Sequence, residues 1–389
     1  MTAALLVVAT LAGGLLIGLI PTLIDGLKKP IEVKLTLPAR SADWFVRLFY
    51  LAWLLAMPAA GWLLDVCNSK EIFFFGLIAL ILGVTWLALI RSAAYLLLNA
   101  MFLGGAYSCV TVAAVRLMTQ VFFPEYVQIQ GMNLASLNLG FVMVGSGALT
   151  GPWIVYTLER WWGYRQGLLY LSTLLIVPAA VTAFCDRSLF PKPPEDAAAW
   201  EALYLEPNML LLAGVMLLYF ALDNFLEYWP DAFLKDIEYQ ARGLQFNLIV
   251  FWLAFIGTRA AAAWWLYHHP SHGIALTILL LIVSGCVLGN LAGGFDVGSS
   301  TLGFWLVGAC YGPVLPGLLG IALDFYHPQP LPVIALGVLL ALSGLDTLML
   351  RPIMDTFTKG RPARLVMRAP AFLAFAVAAP LLLLAFLRK

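Results

Sequence analysis

Ile72–Ile90 reads IFFFGLIALILGVTWLALI, an unbroken apolar run with no ionisable side chain. A helix rises 1.5 Å per residue and needs about 20 apolar residues to cross the hydrocarbon core of a bilayer. This stretch therefore predicts a membrane-spanning helix. Outward from it, eleven more stretches come near the same length, at approximately 3–24, 44–64, 94–118, 131–157, 165–184, 207–229, 243–266, 273–292, 300–323, 332–352 and 367–387. The composition agrees: 62% of the residues are apolar and 11% charged, against roughly 45–50% and 25% in soluble domains. No single core could hide that much apolar surface, whereas lipid solvates it. The fold expected is all-α, a polytopic membrane protein with twelve transmembrane helices.

A net charge of +1, with no basic stripe interleaved with aromatics, gives no reason to expect nucleic acid as a partner. Cys67, Cys109, Cys185, Cys286 and Cys310 form neither a metal-ligand spacing nor a disulfide framework. Met1–Leu23 lacks a basic leader and a clear cleavage site, so it is read as the first membrane helix, retained in the mature chain.

The longest polar interruption is Cys185–Glu206, with three prolines and seven charges. It predicts a linker between two six-helix bundles, 1–184 and 207–389, with a short amphipathic surface helix over Ala197–Leu205. The halves echo each other. Gly104 precedes Pro124 by 20 positions and Gly308 precedes Pro328 by the same 20, and the following helices bring Gly131 and Gly337. Two pseudo-symmetric bundles are typical of transporters, in which one half rocks against the other around a central site.

Several motifs, in order along nearly the whole chain, resemble the major facilitator superfamily. Gly61-Trp62-Leu63-Leu64-Asp65 followed by Lys70 is similar to its loop 2–3 motif, although Val66-Cys67-Asn68-Ser69 replaces the usual arginines and second glycine. Phe123-Pro124-Glu125 with Gly131 resembles its loop 4–5. Gly147-Ala148-Leu149-Thr150-Gly151-Pro152 resembles its fifth-helix motif without the trailing glycine pair. Gly163-Tyr164-Arg165 and Gly257-Thr258-Arg259 resemble its sixth- and eighth-helix motifs. The resemblance implies a cytoplasmic charge cluster of Gly61, Asp65 and Arg116, a helix-packing motif at Gly147, Gly151 and Pro152, and both termini in the cytoplasm. The loop charges point the other way. Lys28, Lys29, Lys34, Arg40, Lys359, Arg361, Arg364 and Arg368 would then lie outside, against the positive-inside rule.

The residues with the most chemical content are the ionisable ones inside apolar stretches: Arg116, Asp223, Glu227, Arg259 and Asp346. Each charge left in mid-membrane costs roughly 2.5–3.5 kcal/mol, so these groups must face the bundle interior, a watery cavity or one another. Arg116 is read as a partner of Asp65. For Asp223, Glu227, Arg259 and Asp346, a substrate or proton site and a structural ion pair both stay open. Tyr107, Ser108 and Thr111, with Trp305 and Tyr311, would suit a polar solute but equally serve as packing. Trp161-Trp162 and Trp264-Trp265 are read as interfacial belt residues. His268-His269-Pro270-Ser271-His272 is read as a polar turn rather than a metal site, and no cofactor is expected.

The reading is a secondary active transporter in the cell membrane, monomeric, carrying a small organic solute by alternating access with proton coupling. The alternatives are an efflux antiporter for amphipathic compounds and a non-transporting receptor or scaffold on the same fold. An enzyme is not expected, since no nucleophile, base or metal constellation is visible.

Overall fold

The computed structural model describes residues 2–34, 39–124, 129–192, 206–236, 241–293, 297–325, 331–358 and 363–387. The expected surface helix over Ala197–Leu205 lies outside these residues. The described chain is helical without strands. In order the helices are α1 (Thr2–Gly26), α2 (Lys28–Lys34), α3 (Ala39–Val66), α4 (Ser69–Leu89), α5 (Ala93–Val121), α6 (Met132–Thr157), α7 (Gly163–Leu174) and α8 (Ile176–Phe184). They continue with α9 (Pro207–Asp236), α10 (Ala241–His268), α11 (Gly273–Gly293), α12 (Val297–Tyr311), α13 (Val314–Phe325), α14 (Val333–Thr358), α15 (Ala363–Val366) and α16 (Arg368–Leu387).

Ten stretches among the described residues are long and apolar enough to cross a membrane, and Val333–Met349 is a shorter apolar helix. One of the ten, Met132–Phe184, runs for 53 residues, enough for two passes at about 20 residues each. The twelve expected stretches thus all appear, two of them broken: α7 and α8 share one, α12 and α13 another. Large apolar side chains point outward along them, with Phe75 at 65%, Phe184 at 79% and Phe372 at 72% exposure. In water such a surface would aggregate; in a bilayer it is the solvated face.

The helices form two compact units. The first comprises Met1–Glu125, Met143–Trp200 and Pro330–Gly344, the second Tyr126–Val142, Glu201–Gln329 and Leu345–Lys389. Inside the first, α3 and α4 pack on α5, α4 on α7, and α1 on α8. Inside the second, α10 and α11 pack on α12, α11 on α16, and α9 on α16. These are the same pairings, six passes later. The glycines spaced alike in the sequence do the same work in each. A Cβ on Gly104 would meet the Phe49 carbonyl of α3 at 2.4 Å, and one on Gly308 the Phe251 carbonyl of α10 at 2.8 Å. Small residues let backbones approach closely where lipid supplies no hydrophobic drive between helices.

Candidate functional site

In the second unit α10 turns Phe251, Phe255 and Arg259 onto one face at four-residue spacing. Arg259 is 3% exposed. Its Nε donates to the Gly312 carbonyl at 2.7 Å and one terminal nitrogen to the Phe141 carbonyl at 2.8 Å. The guanidinium carbon stands 4.0 Å from the Phe255 ring centre and 5.5 Å from that of Phe141. The Gly312 carbonyl is available for a sequence reason. Its helical donor would be the backbone nitrogen of residue 316, which is Pro316 and has no N–H. Pro313 ends α12 just before, and α13 restarts at Val314. The broken helix offers a carbonyl, and the buried cation takes it.

Around Arg259, within electrostatic reach, lie Tyr219, Asp223 and Tyr311. Tyr219 and Tyr311 stack at 5.2 Å, and the Tyr311 hydroxyl donates to the Tyr219 carbonyl at 3.4 Å. Asp223 follows Tyr219 by one turn of α9. Three of the expected site residues, Asp223, Arg259 and Tyr311, are thus brought together. Trp305 is engaged elsewhere, donating Nε1 to Asn247 Oδ1 at 3.1 Å and packing on Phe246. The side chains of Glu227 and Asp346 lie outside the described residues, although both positions are helical.

The first unit repeats part of this arrangement. Tyr107 is 1% exposed and donates to the Ile17 carbonyl of α1 at 2.7 Å, as Tyr311 does to α9. Trp53 lies 4.7 Å from the Tyr107 ring and stacks on Tyr50 at 5.4 Å, and the Tyr50 hydroxyl donates to Asp25 Oδ2 at 3.3 Å. The Trp53 indole N–H is buried and has no partner among the described residues. Sequence reasoning missed Asp25, Tyr50 and Trp53. Asp25 sits one residue past the apolar stretch ending at 24, and nothing in the pattern of 44–64 sets Tyr50 and Trp53 apart from its other aromatics.

The expected charge cluster is built from helix ends. Both carboxylate oxygens of Asp65 accept backbone N–H groups at the start of α14, from Val333 and Ile334 at 2.9 Å each. Gly61, one turn earlier, makes room: a Cβ there would lie 2.5 Å from the Val333 carbonyl. Arg116 donates to the Leu64 carbonyl in the last turn of α3 and to the Lys192 carbonyl, both at 2.6 Å. Lys70 caps α8 in the same way, through the Ala183 and Cys185 carbonyls at 3.0 and 2.6 Å. Arg187 pairs with Glu71 at 2.7 Å. Asp65 and Arg116 feel each other's charge, but among the described residues Asp65 accepts from backbone N–H groups and Arg116 donates to backbone carbonyls. Anions at helix N-termini and cations at C-termini both satisfy orphan groups and complement the helix dipole.

A matching cap that the sequence did not reveal stands in the second unit. Asp324, 1% exposed at the end of α13, accepts from the Gly131 N–H at 2.9 Å and from Asn133 Nδ2 at 2.6 Å, at the start of α6. Gly131 has φ 95° and faces the Pro270 carbonyl. Further along α6, Gly147 and Gly151 let α1 in, since Cβ atoms there would lie 2.1 Å from the Leu15 carbonyl and 2.0 Å from Thr22 Oγ1. Pro152 follows on the exposed side. In the histidine turn, the His269 and His272 rings lie 6.0 Å apart, both against Trp265. Trp161 and Trp264 are 74% and 68% exposed.

Comparison with known proteins follows the same lines. The family model described as Major Facilitator Superfamily matches residues 2–345. The E. coli fucose:proton symporter FucP superposes with a TM-score of 0.74 at 14% identity, over 100% of this chain and 98% of that one. The human organic anion transporter MFSD10 (TETRAN) does so with a TM-score of 0.69 at 15% identity, over 100% and 99%. AmpG 2 of Rickettsia felis, a protein named as a transporter, is 30% identical over 112 residues, which span 28% of this chain and only 26% of that protein. The structural likenesses, at such identities, speak for the fold.

Proposed function

This chain belongs to the major facilitator superfamily, and on that premise we propose that it is a secondary active transporter moving a small organic solute by alternating access, coupled to protons. The observation that carries the proposal is the buried Arg259 beside Asp223, Tyr219 and Tyr311. Two carbonyls and an aromatic face hold the guanidinium still, so it acts as a fixed positive centre. Ionised Asp223 offsets that charge. Protonated, it leaves the field of Arg259 to an anionic or hydroxyl-rich part of the solute. Proton and solute occupancy are then linked at one place, because each changes the electrostatic cost of the other. The stacked tyrosines Tyr219 and Tyr311 add two hydroxyl-bearing rings to the same buried cluster. Tyr107, Trp53 and Tyr50 form a patch of similar chemistry in the first unit. A proton symporter and an organic anion transporter on this fold support the class. Both termini are cytoplasmic in this reading, and a monomer suffices.

The test is transport by purified protein in sealed vesicles, with a counterflow screen over sugars, organic acids, amino acids and drugs to find the solute. Asp223→Asn should abolish accumulation driven by a proton gradient while solute exchange continues. Full proton-driven accumulation by both Asp223→Asn and Asp346→Asn would refute the coupling. Failure of the wild-type protein to exchange any solute class would favour a receptor or scaffold instead.

A further inference from the structure

The membrane edge away from Asp65 carries a feature that solute transport does not use. Helix α4 ends at Leu89 after 21 residues, about 31 Å of rise, so its end lies near the headgroup level of a bilayer about 30 Å thick. The chain reverses there into α5. Beside it, α6 runs into a wide π turn, Leu158–Trp162, and Gly163 at φ 71° sends the chain back as α7. Two reversals side by side leave an open pocket of about 490 Å³ lined by residues 88–91 and 162–166. Arg91 and Arg165 lie in its wall, both exposed, and neither makes an ion pair among the described residues. No carboxylate is among the described lining.

Next to it runs a second, almost wholly apolar groove of about 300 Å³ between α6 and α7, lined by Trp153, Ile154, Tyr170 and Leu174 among others. Trp162 belongs to both and leans on Tyr170 at 4.8 Å. The groove opens outward, since Trp153, Tyr170 and Leu174 are 69%, 52% and 67% exposed. A cationic pocket at headgroup level thus continues into an apolar slot on the lipid-facing side, with an amphipathic indole at the junction. We propose that this is a binding site for an anionic phospholipid. The headgroup phosphate lies between Arg91 and Arg165, and one acyl chain lies in the α6–α7 groove. Guanidinium groups recognise phosphate through paired N–H donors. With two arginines and no carboxylate among the described lining, a net-negative headgroup is favoured over a zwitterionic one.

The full chain, purified in detergent, is titrated with phosphatidylglycerol and followed by native mass spectrometry. Phosphatidylcholine and inorganic phosphate serve as comparison probes. The double variant R91Q/R165Q should bind phosphatidylglycerol about 30-fold more weakly, at about 1 kcal/mol per arginine. Its melting point without lipid should match the wild type, because both side chains are exposed. Phosphatidylglycerol with a photoreactive acyl chain should label residues 153–174 of the wild-type protein, a result that needs no variant. Millimolar phosphate should not displace the lipid. Equal affinity of the double variant, equal binding of phosphatidylcholine, or acyl labelling confined to other helices would each overturn the proposal. Arginine-dependent binding of phosphate without acyl labelling would make it a free-anion site, which also overturns it.

Discussion

A helix begins with N–H groups that nothing within it can satisfy, and at the start of α14 and of α6 a buried aspartate takes that role. Asp65 and Asp324 each accept two hydrogen bonds across a long sequence gap. Loss of an N-cap costs about 1 kcal/mol, and a hydrogen bond to a charged group about 1.5–3. Asp65→Ala and Asp324→Ala should therefore each lower stability in mixed micelles by about 2–4 kcal/mol, and the Asn variants by less, because one acceptor survives. Unchanged unfolding of Asp324→Ala would remove it from this role. Gly131 and Gly163 make a sharper comparison. Both have positive φ, at 95° and 71°, but a Cβ on Gly131 would lie 2.1 Å from the Pro270 carbonyl, whereas one on Gly163 meets nothing within 4 Å. Gly163→Ala should cost about 1–3 kcal/mol of backbone strain, and Gly131→Ala clearly more, since its Cβ also meets a carbonyl; equal melting points for the two variants would contradict that difference. Asp65 and Gly131 were legible through motifs. Asp324 was not, because it lies just beyond an apolar stretch and its partners stand some 190 positions earlier.

At the scale of helices, apolar run length located every pass but not the breaks within them. The stretch at 300–323 reads as one helix, yet Pro313 and Pro316 divide it into α12 and α13. Pro316 acquires meaning only beside Arg259, a residue of another helix that fills the vacancy at Gly312. No periodicity within 300–323 contains that fact. It does make a prediction. In the natural chain Arg259→Lys should leave the Gly312 carbonyl unsatisfied in a buried place, at a cost of about 1–3 kcal/mol. Pro316→Ala supplies a backbone N–H to that carbonyl, so Arg259→Lys should cost less in its presence. Denaturation of the four proteins in mixed micelles gives the cycle; strictly additive effects would show that the arginine and the proline are not coupled.

At the scale of the whole chain, the repeat glimpsed in Gly104 and Gly308 extends to helix pairings and to the buried tyrosines Tyr107 and Tyr311. The orientation in the membrane was the point on which the sequence divided, since family motifs and loop charges disagree. The structure gives partners to a few of those charges. Lys28 pairs with Asp43. On the opposite edge, Lys70, Arg116 and Arg187 are held by helix carbonyls and Glu71. The positive-inside bias counts lysines and arginines near the ends of the membrane helices and gives acids little weight, so these contacts leave the loop charges opposed to the family motifs. On the family motifs, the edge bearing Asp65 and residues 185–192 is expected to be cytoplasmic. Cys185 is 2% exposed, and burial pushes its thiol pKa up, so it is a poor reporter, whereas Ser188 is exposed in the same segment. In a background without native cysteines, Ser188→Cys should react with an impermeant maleimide only after the cytoplasmic side is opened. Arg165→Cys, on the far edge, should react in intact cells. Labelling of Ser188→Cys in intact cells together with protection of Arg165→Cys would invert the protein. It would also move the Arg91–Arg165 lipid site from the outer leaflet to the inner one, where anionic headgroups and the positive-inside bias would coincide.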